Sequence, residues 1–204
     1  MNNHYRTTDI ELSKTRLGIA KADSPEGPWE KLATNPILIP SEDANYFDSH
    51  RMDDASLIIR NGKYWLYYKG RKWGERANQT KMGVAIADNP EGPYVKYENN
   101  PVIAGGHEVL VWPQGSGVAT IIGKVGPATI NRSIMYAEDG LNFIKTHSFS
   151  AGPVPVGPGA YRPDAYTDNG NGQMIKWGLH RNMTAPQHIE RYDLATDSLI
   201  LNTP

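Results

Sequence analysis

The 204-residue sequence predicts an all-β fold of β-propeller type. Three observations carry that expectation. Gly and Pro supply 20 and 15 residues, many of them adjacent, which is the composition of short strands joined by turns. A strand–turn–strand segment recurs at an offset of 65 residues. Between its copies, apolar strands open on acidic residues.

Along the chain, the first copy is Leu17-Gly18-Ile19-Ala20-Lys21-Ala22-Asp23-Ser24-Pro25-Glu26-Gly27-Pro28-Trp29, and it returns as Met82-Gly83-Val84-Ala85-Ile86-Ala87-Asp88-Asn89-Pro90-Glu91-Gly92-Pro93-Tyr94. The match continues into Asn35-Pro36-Ile37 and Asn100-Pro101-Val102, and Ile134-Met135-Tyr136-Ala137-Glu138-Asp139-Gly140-Leu141-Asn142-Phe143 is a weaker third copy. Each copy alternates apolar and polar residues, turns at a Pro/Gly cluster and resumes on an aromatic that can seal the strand pair. The acid-led strands between them are Met52-Asp53-Asp54-Ala55-Ser56-Leu57-Ile58-Ile59, His107-Glu108-Val109-Leu110-Val111-Trp112-Pro113 and Tyr161-Arg162-Pro163-Asp164-Ala165-Tyr166. The first continues into a hairpin, because Asn61-Gly62 supplies the positive φ angles of a tight turn before Lys63-Tyr64-Trp65-Leu66-Tyr67-Tyr68. Gln114-Gly115-Ser116-Gly117 and Asp168-Asn169-Gly170-Asn171-Gly172 fill that slot in the next two units. One unit therefore holds about four strands, and a radial array of four-stranded sheets is a propeller.

Roughly three and a half such units fit in this chain, whereas propellers close with about four to eight. The expectation is one partial propeller domain over residues 1–204, its ring open and its first blade or blades missing from this chain. Completion by another chain, as in a homodimer, is the alternative, since an open ring leaves unpaired edges.

Lys and Arg number 21 against 22 Asp and Glu, so no basic excess points to nucleic acid or an anionic membrane, and a neutral partner is expected. Cysteine is absent, which excludes disulfides, thiolate nucleophiles and cysteine-held metals. No apolar run approaches the roughly 20 residues that span a bilayer, and the opening residues lack the apolar core of a signal peptide. The location expected of the chain as written is cytoplasmic, or periplasmic if a preceding segment carries a signal.

Inner strands of a propeller converge on its axis, so residues that open successive inner strands can meet in one pocket. Asp54, Glu108 and Asp164 stand 54 and 56 residues apart, close to one unit. Glycoside hydrolysis needs such a gathering, because one group must protonate the leaving oxygen while another activates water or attacks the sugar carbon. His107 beside Glu108 adds a proton donor, since histidine, with an ordinary pKa of about 6.5, is available as an acid near neutrality and a neighbouring carboxylate keeps it protonated. Plainer readings stand beside these. His107 after Gly105-Gly106 can be a turn residue, and Asp53 and Asp54 can cap the strand that follows. Strand phase favours Asp54 over Asp53 as the site residue, and Asp164 is read first as a structural ion-pair partner of Arg162.

The Ala-Asp-x-Pro-x-Gly-Pro turns and acid-led strands resemble the five-bladed propeller glycosidases, a group that includes arabinofuranosidases and xylosidases. Within it, His107-Glu108-Val109-Leu110-Val111-Trp112-Pro113-Gln114-Gly115-Ser116-Gly117-Val118 and Gly159-Ala160-Tyr161-Arg162-Pro163-Asp164-Ala165 resemble glycoside hydrolase family 117, the α-1,3-(3,6-anhydro)-L-galactosidases or neoagarobiose hydrolases. The similarity runs from about Leu17 to Arg191. It implies a five-bladed fold and an inverting exo-hydrolase that releases 3,6-anhydro-L-galactose from neoagarobiose and neoagaro-oligosaccharides in agarose degradation. It also implies His107 as the general acid, Glu108 in contact with sugar, and Asp54 as the carboxylate that orients the site and raises the acid's pKa. The family's general base is an aspartate of an early blade, and its N-terminal helical segment takes part in dimer formation; the stretches expected to carry both are not in these 204 residues. No cofactor is required, and a structural cation or water on the axis is compatible with the fold.

Other side chains are candidates for substrate binding. Arg51 and Arg162 could hydrogen-bond sugar hydroxyls or pair with the acids beside them. Trp112, next to Pro113 on an acid-led strand, and Trp73, in the Lys69-Gly70-Arg71-Lys72-Trp73-Gly74-Glu75 loop, could stack on a sugar ring, whereas Trp65, Tyr67 and Trp177 are expected in blade cores. Asp164 completes the set. His50, His180 and His188 match no metal motif, so no metal ligand is assigned. Two other functions stay open: a propeller that only binds carbohydrate without turning it over, and a propeller scaffold for protein partners.

Overall fold

The computed structural model describes residues 13–107, 110–123, 130–148, 159–160, 162, 166, 175, 177–182 and 186–193. Its strands form four antiparallel sheets. β1 (Ala20–Lys21) pairs with β2 (Glu30–Lys31). β3 (Arg51–Arg60), β4 (Lys63–Arg71), β5 (Lys81–Ala87) and β6 (Val95–Lys96) make a four-stranded meander. β7 (Val111–Gln114), β8 (Gly117–Ile122), β9 (Ser133–Ala137) and β10 (Ile144–Ser148) make a second. β11 (Gly159–Ala160), β12 (Trp177–Asn182) and β13 (His188–Asp193) form a three-stranded sheet. The all-β class is as expected and the four-stranded unit is present twice. The five-bladed ring is not seen, because among the described residues the sheets do not close on themselves.

The sequence repeat has a physical basis in a side chain that stands in for a strand. Asn35 accepts the Ile19 amide at 2.8 Å and donates to the Ile19 carbonyl at 2.7 Å. Asn100 accepts and donates in the same way at Val84, both at 2.9 Å. Isolated bridges, Leu17 to Leu38 and Met82 to Ile103, extend the two hairpins alike. The hairpin between β3 and β4 closes at Asn61 and Gly62, whose φ angles of 52° and 69° are those the Asn-Gly pair predicts.

Packing is governed by alternation along β4. Trp65 and Tyr67 face a cluster that includes Ile58, Val84, Val111, Val118 and Met135, and so joins this sheet to the next. Leu66 and Tyr68 face the opposite way, with Leu38, Phe47, Met52 and Tyr94. β8 divides similarly: Val118 and Ile122 enter the first cluster, while Ala119 and Ile121 join Trp112, Tyr136 and Ile175. Successive residues of a strand point to opposite faces, so a strand apolar at consecutive positions requires cover on both. Trp65 and Tyr67 are core residues as expected; Trp177 is half-buried, with the Arg191 guanidinium 4.9 Å above its ring.

Phe47 seats across β4 and β5 because two glycines admit it. A Cβ at Gly70 would lie 2.5 Å from Phe47 Cε2, and one at Gly83 would lie 2.7 Å from Cζ. The adjacent Asp48 is fully buried and satisfied by the Tyr68 hydroxyl at 2.8 Å, the Ser41 amide at 3.2 Å and the Lys96 ammonium at 2.8 Å. Burial, reinforced by the Asp48 charge, pushes the Tyr68 hydroxyl above the usual tyrosine range.

Asn100→Ala removes both partners of Val84 from a buried site and should destabilise the fold by about 1–3 kcal/mol. Asn35→Ala, at the more exposed first copy, should cost less. Urea denaturation of the two variants measures the difference.

Candidate functional site

The head of β3 departs from regular pairing. Asp53 pairs with Lys69 and Ser56 with Tyr67, which leaves Asp54 and Ala55 opposite the single residue Tyr68. This is a β-bulge, and Asp54 adopts it at φ 49°, a left-handed conformation that aspartate tolerates better than most residues. In a regular strand the two carboxylates would point to opposite faces. Here both reach Lys69.

Lys69 is 8% exposed, on β4. Its Nζ donates to Asp54 Oδ2, lies 3.2 Å from Asp53 Oδ1, and is 3.4 Å from His107 Nδ1. Asp53 Oδ2 is in turn 4.0 Å from Arg51 Nη1. Cations and carboxylates alternate along Arg51, Asp53, Lys69 and Asp54, and their four charges cancel. An ammonium has donors and no acceptor, so Nδ1 of His107 can only accept in this contact, which in a neutral ring leaves the hydrogen on Nε2.

The loop that presents His107 depends on Gly106, whose φ of 90° is open to glycine and whose carbonyl accepts a hydrogen bond from Thr80 Oγ1. A Cβ there would also press on Ile122 Cδ1 at 3.2 Å. The Gly-Gly pair thus lets the backbone lie against β8 and turn out at His107.

Arg162 performs a different task. Its Nη1 donates to Ser56 Oγ at 2.9 Å, to the Val111 carbonyl at 2.8 Å and to the Leu57 carbonyl at 3.4 Å. The Val111 amide donates to the same Ser56 hydroxyl at 3.4 Å. One guanidinium therefore pins β3 to β7, the first strands of adjacent sheets. Burial pushes Arg162 below its ordinary value, partly opposed by Tyr166.

These positions sort the residues singled out from sequence. Asp54 and His107 are brought together with Lys69 between them, and Arg51 joins through Asp53. Strand phase does not separate Asp54 from Asp53, because the bulge turns both carboxylates onto Lys69. Trp73 is 46% exposed, with its ring edge-on to buried His50 at a centroid distance of 4.7 Å. Trp112 is corrected from pocket to core: it is 1% exposed, because alternation sends it to the face opposite Val111, where Nε1 donates to Gln114 Oε1 at 3.0 Å. Arg162 has its Nη1 engaged by the Ser56 hydroxyl and by carbonyls of β3 and β7. Glu108 and Asp164 lie outside the described residues. Among the described residues no three His, Asp or Glu side chains are placed to hold a metal ion.

Sequence reasoning misses Lys69, leaving it in a loop. A signal was present. Lys69 is a lone cation ending the apolar run Tyr64-Trp65-Leu66-Tyr67-Tyr68, and a two-residue turn at Asn61-Gly62 sets it across from Asp54. The bulge then moves the pairing to Asp53.

Neither a protein-family model nor a curated protein matches the chain. Among solved structures, it resembles glycoside hydrolases. The particular likeness is to family 117: Zg3597, a family 117 glycoside hydrolase produced by the marine bacterium Zobellia galactanivorans, superposes with a TM-score of 0.73 at 33% identity, over 87% of this chain and 51% of that one. The likeness to family 117 is therefore present in the fold as well as in the sequence. A thermostable family-43 glycoside hydrolase matches at a TM-score of 0.37 and 26% identity, over 58% of this chain and 44% of that one. The family-43 BlXynB protein from Bacillus licheniformis matches at 0.49 and 16%, over 80% and 32%. The chain spans about half the length of Zg3597.

Arg162→Met should lower stability by about 1–3 kcal/mol, since it leaves the Val111 and Leu57 carbonyls without their donor. The urea midpoint checks this.

Proposed function

We propose that this chain forms part of an exo-acting, inverting glycoside hydrolase that releases 3,6-anhydro-L-galactose from neoagarobiose and related neoagaro-oligosaccharides. The observation that carries the reading is the convergence of Asp54 and His107 on one buried ammonium beside the apposed first strands β3 and β7. The likeness to Zg3597, a family 117 glycoside hydrolase, supports the class of reaction.

In this reading His107 is the general acid. It protonates the glycosidic oxygen from Nε2 as the bond to the anhydro-sugar breaks, while a water activated by an aspartate attacks the opposite face of the sugar carbon. To act so, the ring takes a second proton at Nδ1. The 3.4 Å contact to Lys69 gives way, and the ammonium stays with Asp53 and Asp54. Those carboxylates serve the acid side of the reaction; the family resemblance implies an aspartate of an early blade as the base, and turnover by these 204 residues requires that another aspartate of the chain or of a partner chain supply it. Glu108, next to His107, contacts the sugar. Arg51 and the exposed face of Trp73 extend the binding surface. No cofactor enters any step.

Incubation with neoagarobiose, followed by proton NMR, should show release of 3,6-anhydro-L-galactose with inverted anomeric configuration. His107→Ala should reduce the rate by about 10²–10⁴-fold, the usual contribution of a general acid. Saturable sugar-induced shifts without turnover would replace the hydrolase with a carbohydrate-binding protein, and the absence of both would overturn the reading.

A further inference from the structure

A charge inside a sheet is unfavourable unless it is paired and hydrogen-bonded. The preceding five residues of β4 are aromatic or leucine, and an apolar side chain at 69 would continue their pattern without that cost. Lysine stands there instead, held by two carboxylates that a bulge has turned onto the same side. Those two contacts stay within the β3–β4 hairpin. Another contact leaves it, crossing to Nδ1 of His107 in the segment after β6.

We infer that Lys69 is a positioning residue for His107: its ammonium, donating to Nδ1, holds the ring as the Nε2–H tautomer. The inference rests on the reading of His107 as proton donor. Among the described residues, the ring meets Lys69 of β4, which in turn meets Asp53 and Asp54 of β3, with Arg51 behind Asp53. Glu108 is next to His107 in the chain. Asp53 and Asp54 fix Lys69, and Lys69 fixes the ring. The acid-led strand thus reaches the proton donor by way of a cation.

The chemistry of this arrangement is specific. A neutral imidazole offers one donor and one acceptor, and the partner of one nitrogen decides which role the other plays. With Nδ1 occupied by a donor, the resting ring carries its hydrogen on Nε2, the nitrogen that donates to the glycosidic oxygen once the contact to Lys69 gives way and Nδ1 takes the second proton. An apolar residue at 69 removes that donor, and a ring that exchanges tautomers spends part of its time with Nε2 unprotonated.

The test is nitrogen-15 NMR of the histidine-labelled chain, read for the two ring nitrogens of His107 in the unmodified protein and in Lys69→Met. The unmodified protein should show a protonated Nε2 and an accepting Nδ1. In Lys69→Met the signal should move to a mixture of tautomers while the other histidines keep their shifts. Asp54→Asn combined with Lys69→Met guards against misfolding, because it removes an opposing carboxylate at a φ that asparagine tolerates. It should show the same loss. Kinetically, kcat on neoagarobiose should fall roughly ten- to a hundredfold, less than for loss of the acid itself, with KM little changed. An Nε2–H tautomer that persists in both variants overturns the inference whatever the activity. Loss of the tautomer in a protein that does not cleave neoagarobiose would instead uphold the positioning role and remove the proposed substrate.

Discussion

Burial of β4 on both faces constrains everything around it. Trp65 and Tyr67 on one side and Leu66 and Tyr68 on the other each need an apolar neighbour. A single sheet cannot satisfy both, so sheets must stack on either side. That stacking brings β3 beside β7, and the Ser56 hydroxyl and Arg162 guanidinium convert the approach into a fixed contact at Val111. The site lies beside that contact. Its residues are polar where the strands leave the apolar stack, and their position depends on it.

At that end the chain departs from regular β geometry. The bulge at Asp54 and Ala55 costs a ladder pairing and puts a non-glycine residue at positive φ. In return two carboxylates meet one ammonium, an arrangement a straight strand cannot make with consecutive residues. Among the described residues the charges of Arg51, Asp53, Lys69 and Asp54 cancel, which lowers the cost of holding them half-buried against the core. It also holds a histidine by one nitrogen and so places the hydrogen of the neutral, resting ring on the other.

Much of this architecture is legible in the sequence because it repeats. The asparagine that clamps Ile19 must recur at Val84, since no aliphatic side chain can accept an amide and donate to a carbonyl together, and Asn35 and Asn100 are found at the same offset as the turns. The Asn61-Gly62 turn is equally legible, as few other pairs adopt two positive φ angles cheaply. The site is less so. A bulge adds one residue to one strand without altering composition, so phase counted from the apolar pattern selects one aspartate where the structure uses both. Trp112 misleads for a related reason: its neighbour Val111 faces the stack shared with β4, and a single step along the strand carries the indole into the next core. Arg162 shares its acid-led segment with Asp164, yet its donors go to carbonyls some 50 and 105 positions away, as nothing local announces.

If Lys69 and the acid-led strand act as one unit, their contributions to stability cannot be separable. A double-mutant cycle of Asp54→Asn and Lys69→Met, read in the free energy of urea unfolding, measures whether they are. A coupling of about 1 kcal/mol or more between the two sites is expected, as for charged partners in contact. Effects that add to within about 0.3–0.5 kcal/mol, as they do for independent residues, would mean that the cation and the strand act separately.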